Sequence, residues 1–329
     1  MNASTNRREF LASMAALSAG SLGTTSALAQ ETYPGKGPVK VIVPLPAGGA
    51  ADASVRLLTA TMQNSLKQSF VVDNRPGGSF VIGMQAIAQA PADGYTLMHI
   101  YPGMLAAQTA LKKYDLLKTL TPISLMGSMP AVLVVPATSP YKSVKDLVNA
   151  GAAKPGGLNY GSVGPGTIEH LWASNFSKHN HLDAVHVPFK GMPDAITALV
   201  SSEIQFLPLA MALTLQFVQK NMVRPLAVLD TQRHPALPNV PTIKEAGYNE
   251  PPLVFWGGLA APKGTPPAIV EKLREHVAAA VATDDLKSKF QAMGTTPLSS
   301  PTPQSFEQMM VQELGWLTEA VKGADLQMN

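Results

Sequence analysis

Short β-branched runs alternate with stretches of helical spacing, and the alternation occurs twice along the chain. Val39-Lys40-Val41-Ile42-Val43-Pro44 reads as a strand, because branched side chains suit a pleated, half-buried surface. Val55, Leu58, Met62 and Leu66 then recur at helical intervals over Ala53–Leu66. Phe70-Val71-Val72 and Tyr95–Ile100 read as two further strands with helical sequence between them. This βαβ rhythm predicts a parallel sheet covered by helices. It restarts downstream, with helical pattern at Lys145–Ala153, Thr167–Lys178 and Met192–Ser201. The matching extended segments are Leu158–Ser162, Val185–Pro188, Ile204–Leu207 and Arg224–Leu229.

The expected fold class is therefore α/β with two lobes, each a sheet flanked by helices. Met129–Pro140, with Pro130, Pro136 and Pro140 around the apolar run Ala131–Val135, reads as a crossing between lobes. A second crossing is expected at Leu253–Leu259. Beyond it the chain is helical. One helix begins at Pro266-Pro267 and aligns Ile269, Val270, Leu273, Val277 and Val281; another covers Phe306–Val321. The expected division is residues 30–132 with 255–329 as one lobe, and 133–254 as the other. Single cores stop growing near ~250–300 residues, which agrees with two cores here.

Residues 1–29 look like an address rather than fold. Arg7-Arg8 precede Phe10-Leu11, an uncharged small-residue stretch runs to Ala29, and Ala27-Leu28-Ala29 has the small-x-small form that signal peptidase accepts. The twin arginine points to the Tat route, with an ordinary Sec signal as the alternative. The mature chain would begin at Gln30 in the periplasm of a Gram-negative bacterium.

Composition excludes several classes. A net charge of +3, with 14% charged residues, offers no field for nucleic acid. The absence of cysteine removes disulfides, thiolate nucleophiles, zinc-thiolate sites and a lipid anchor through cysteine. No later segment reaches the roughly 18 apolar residues of a membrane span. Ile204–Val218 is interrupted by Gln205, Pro208, Thr214 and Gln216, and reads as a buried strand followed by a core helix. No cofactor is expected.

Two glycine-rich loops carry the chemistry. Pro46-Ala47-Gly48-Gly49-Ala50-Ala51-Asp52 follows the first strand; Ser162-Val163-Gly164-Pro165-Gly166-Thr167-Ile168-Glu169-His170 follows Leu158–Ser162. Each leads from a strand into a helix. Glycine lets the backbone approach a ligand, and the helix start offers free N–H groups with partial positive charge. Such a site suits a carboxylate, sulfate or phosphate, although ordinary tight turns would also use these glycines. In open α/β sheets ligands sit beyond the carboxyl ends of strands, where both loops would lie.

Other motifs fail. Gly164-Pro165-Gly166 has Glu169 where a dinucleotide loop needs a third glycine, no GxxxxGK[ST] exists, and Tyr160 breaks a GxSxG elbow around Ser162. His170, His179, His181 and His186 are close in sequence but lack metal-ligand spacing, so no metal is expected.

These residues also resemble the Bug family, the substrate-binding proteins of tripartite tricarboxylate transporters. Pro46–Asp52 with Arg56 resembles its PxGGxxDxxAR segment, Val72–Gly78 its VENRPGAGG, and Ala92–Leu97 its PDGYTLL. Leu158–Ser162 with Gly166-Thr167 and His170-Leu171, then His186–Gly191 and Leu237–Thr242, follow in family order, from about Tyr33 to the C-terminus. The resemblance implies a two-lobed periplasmic-binding-protein-like fold of type II. It also implies an interlobe carboxylate site, a monomer, and delivery to membrane permease subunits or a sensor kinase. Carried over, Pro46, Ala47, Gly48, Gly49 and Asp52 would face Ser162, Gly164, Gly166 and Thr167 across the ligand, with Asp52 organising its loop. His170 and Lys190 complete the expected set.

Two departures bear on specificity. Where the family commonly reads VDLMFDN, Ile204–Ala210 has Gln205 and Leu209 at the acidic positions; after the third strand, Tyr101 and Met104 replace small hydroxyl residues. The expected pocket is more apolar, lined by Tyr101, Met104 and Leu209. The expected ligand is an aromatic or apolar monocarboxylate, or a dicarboxylate without an amino group. The competing readings are a hydrolase or lyase using Ser162 and His170, and a signalling partner that feeds no permease.

Overall fold

A computed structural model describes residues 33–35 and 37–323; the expected signal segment lies outside the described residues. The architecture is built from residues 37–323.

β1 (Val39–Val43) buries Val39, Val41, Ile42 and Val43 and leaves Lys40 exposed. α1 (Ala50–Leu66) begins three residues before the expected start at Ala53, buries Val55, Leu58, Met62 and Leu66, and stops where Lys67 turns left-handed at φ 52°. β2 (Phe70–Asn74), α2 (Val81–Ala88) and β3 (Thr96–Ile100) follow, and β1 lies between β2 and β3, parallel to both. The carboxyl ends of these strands therefore share one edge. α3 (Pro102–Leu111) starts there with proline in its first turn, a helix the sequence reading did not identify. α4 (Leu116–Thr119) is a single turn capped by Asp115, whose carboxylate accepts the Lys118 N–H.

β4 (Leu120–Pro136) runs unbroken for 17 residues. Its first part, Leu120–Pro130, pairs antiparallel with β9 (Val254–Pro262). Its last part, Ala131–Pro136, pairs with β7 (Leu207–Ala210) and β8 (Val223–Val228). The stretch expected to be a crossing is thus a strand that changes partners. β9 returns beside it and continues to β3, so the first sheet reads β10–β4–β9–β3–β1–β2.

The second α/β unit starts with α5 (Val144–Ala153), closed by a reciprocal Ser143–Asp146 capping box. β5 (Asn159–Ser162), α6 (Ile168–His179) and β6 (Val185–Pro188) form a parallel βαβ unit. α7 (Met192–Val200) leads to a bridge between Phe206 and Tyr160, then to β7 and α8 (Met211–Gln219). The strand expected at Ile204–Leu207 therefore begins later, at Leu207. After β9 come α9 (Pro267–Val281), α10 (Asp284–Ala292), the two-residue β10 (Thr296–Pro297) and α11 (Pro303–Gly323).

One buried cluster joins Ile42, Met98 and Leu105 to Leu171, Trp172 and Phe306, so β1, β3 and α3 share a core with α6 and α11. Burying side chains of this size stabilises by roughly 1.5–3 kcal/mol each before entropy is counted. A second cluster, around Val132, Leu199, Leu207 and Leu209, joins α7 to β4 and β7. Among the described residues no helix is long and apolar enough to cross a membrane.

Candidate functional site

The two glycine loops are held by the same device. In the first, Gly48 adopts φ 84°, which glycine tolerates and L residues resist, and its N–H donates to Asp52 Oδ2 at 2.9 Å. Arg56 Nε donates to the same oxygen at 3.0 Å, and Asn74 Nδ2 donates to Oδ1 at 3.0 Å. Asn74 also ties Leu45 O and receives Arg56. The Arg56 hydrogen bond, helped by those from Gly48 and Asn74, holds the Asp52 carboxyl below its ordinary range although burial opposes this. Asp52 is thus a buried loop organiser. Pro46, Ala47, Gly48 and Gly49 are exposed at the edge.

In the second loop, Gly164 and Gly166 have φ 128° and 78°. The Gly166 N–H donates to His170 Nδ1 at 3.1 Å, and Thr167 Oγ1 donates to Gly164 O at 2.9 Å. Ser162 is fully buried; its Oγ accepts the Gly164 N–H at 3.1 Å and lies 2.7 Å from His186 Nε2. His186 and His170 rings face each other with centroids 4.0 Å apart, and Tyr160 stacks on both. Burial holds both histidines at about 4, neutral at physiological pH. The hydrolase reading paired Ser162 with His170. The structure instead gives Ser162 to His186 and commits His170 to the loop backbone.

Each loop leads into a helix whose first N–H groups cannot pair along the helix, Ala50 and Ala51 of α1 and Ile168 of α6, while the Glu169 N–H meets its own buried carboxyl. A cavity of about 160 Å³ opens onto the start of α1. Ala50, Ala51 and Ser54 form one wall; His99, Tyr101, Met126, Met129, Phe255 and Phe290 form most of the rest. Its surface is mainly apolar, and no carboxylate side chain lines it. Tyr101 is fixed there, stacked on His99 with centroids 5.8 Å apart and edge-on to Phe80 at 5.5 Å. None of the second-loop residues lines this cavity. That loop meets the first half elsewhere: a Cβ built on Gly166 would lie 3.7 Å from the Ala110 Cβ of α3.

Met104 and Leu209, expected as pocket walls, are fully buried core residues in α3 and β7. Lys190 is exposed after β6. Conversely, Ser54 and His99 line the cavity without having been singled out. A histidine inside the otherwise apolar run Thr96–Ile100 was the available signal. Among the described residues no group of three metal-ligating side chains occurs.

Comparison with known proteins places the chain. Residues 54–322 match the family described as "Tripartite tricarboxylate transporter family receptor". A Pseudomonas protein from the tcbD–tcbE intergenic region is 34% identical over 89% of this chain and 87% of its own length. A Rhodopseudomonas palustris protein solved with adipate is 31% identical, covers 89% of this chain and 98% of its own, and superposes with a TM-score of 0.72. MatC of the same species, solved with bound malate, is 27% identical over 86% of this chain and 98% of its own, with a TM-score of 0.69. The two-lobed α/β periplasmic-binding-protein fold expected from the sequence is the fold of these relatives. The chain belongs to the tripartite tricarboxylate transporter receptor family, whose members are solute-binding proteins and not enzymes.

Proposed function

We propose that this receptor captures a small organic acid at the start of α1, with the acid's hydrocarbon part in the adjoining cavity. The free N–H groups and partial positive charge of the helix start favour the carboxylate. The second loop supplies further N–H donors as the two halves close on the ligand, the added contacts favouring the closed form. Pro130/Ala131 of β4 and the segment entering β9 at Val254 are the crossings about which closure turns. The loaded protein then docks on membrane permease subunits of the transporter from the periplasm, to which the twin-arginine segment delivers it.

The observation that carries this reading is an apolar cavity ending on a helix start, with no acidic side chain to meet an ammonium group. The ligand is accordingly an apolar or aromatic monocarboxylate, or a dicarboxylate without an amino group. Adipate and malate, held by the two relatives, also lack an amino group. A thermal-shift screen of the mature protein against a carboxylate library tests it. A ligand at ~100 times its dissociation constant adds about 2.7 kcal/mol of stability. Tight calorimetric binding of glutamate or aspartate defeats the proposal.

A further inference from the structure

Among the polar side chains lining the cavity, His99 is one that the carboxylate reading leaves unused. His99 is only 2% exposed, inside β3, and its Nδ1 lies 3.1 Å from Gly258 O. A carbonyl only accepts, so Nδ1 carries the proton, and in the neutral ring Nε2 is left as an acceptor. Burial, opposed by the Gly258 bond, lowers the His99 pKa to about 4, so the ring is neutral at physiological pH.

The ring is held on two sides. It stacks on Tyr101 with planes 13° apart, and its Cε1 would lie 2.9 Å from a Cβ built on Gly257, so only glycine leaves it room on β9. Nε2 has no hydrogen-bond partner among the described residues. No fully enclosed side-chain nitrogen or oxygen there lacks a partner either, so Nε2 is open to the cavity that His99 lines. An acceptor this well positioned in an apolar wall is costly unless a donor meets it.

We propose that His99 is a specificity-determining residue whose Nε2 accepts a hydrogen bond from a hydroxyl at the far end of the bound acid. This rests on the carboxylate reading and narrows it to hydroxy acids, aliphatic or phenolic. An ionised second carboxylate has no proton to donate and meets the same lone pair unfavourably.

Calorimetry at neutral pH with 6-hydroxyhexanoate, hexanoate and adipate tests the assignment. The wild-type protein binds 6-hydroxyhexanoate about tenfold more tightly than hexanoate, and more tightly than adipate. His99→Asn, which keeps an amide donor for Gly258 O, loses that preference and still binds hexanoate. Equal affinity for the first two acids, tighter binding of adipate, or a preference that survives His99→Asn overturns the inference while leaving the carboxylate site intact. Failure of all three acids to bind removes the carboxylate reading, and the inference with it. Nitrogen-15 spectra of the wild-type ring need no variant. The Nε2 resonance moves on adding 6-hydroxyhexanoate and stays in place with hexanoate; an unmoved resonance in the bound state overturns the assignment.

Discussion

The backbone N–H of Gly166 donates to Nδ1 of His170 at 3.1 Å, so a side chain in the first turn of α6 holds the loop that leads into it. The bond exists only while that nitrogen is unprotonated. His170, His186 and His99 all have folded-state pKa values lowered by burial to about 4 from an ordinary 6.5. As pH falls from 6.5 towards 4, the unfolded chain takes up protons that the folded chain refuses. Stability is fully present above that window and declines through it. Urea midpoints measured across this range should fall with pH, and the fall should be shallower in His186→Gln. A flat midpoint would contradict the buried, neutral state of these rings.

Asp52 gathers the Gly48 N–H, Arg56 and Asn74. Asp52→Ala strands these donors and should cost about 1–3 kcal/mol by urea denaturation. Carboxylate affinity should fall with it, because the first loop loses its internal tie. Asp52→Asn, which retains an acceptor oxygen, should lose less on both measures.

A Cβ added at Gly48 meets nothing within 4 Å, yet the residue sits at φ 84°. Gly48→Ala therefore isolates a backbone effect from a steric one. The left-handed penalty of about 1–2 kcal/mol should appear as lost stability, or as a relaxed loop with weaker binding of the same carboxylates. Calorimetry together with thermal melting separates the two outcomes.

Leu209 and Met104 should behave as packing residues. Leu209→Ala and Met104→Ala should each lose about 2–5 kcal/mol of stability. Affinity measured well below the melting transition should change little. A selective loss of affinity with unchanged stability would place these side chains in the ligand's path after all.

The strands Val39–Val43 and Thr96–Ile100 and the two glycine loops were legible because β-branched runs and glycine turns are local signals. So were the helices of the second unit, with ends shifted by one residue. What sequence could not supply was direction. Tyr101, Met104 and Leu209 stand out as departures from the family pattern, but α3 turns Met104 into the core and β7 pairs Leu209 with Val132. Only the three-dimensional path separates a pocket wall from a core residue. The same limit hid His99, whose neighbour Gly258 is 159 positions away, and the choice of His186 over His170 as the partner of Ser162. The prolines of Met129–Pro140 suggested a crossing between lobes. They lie in and after a strand whose ladder partners change at Ala131.

That change of partner has a mechanical meaning. Because β4 lends its first part to one sheet and its last to the other, it works as a common beam. Neither half can melt without stripping hydrogen bonds from a strand that the other half also uses. The two halves should therefore lose structure together, in a single sharp denaturation, even though each has strands of its own.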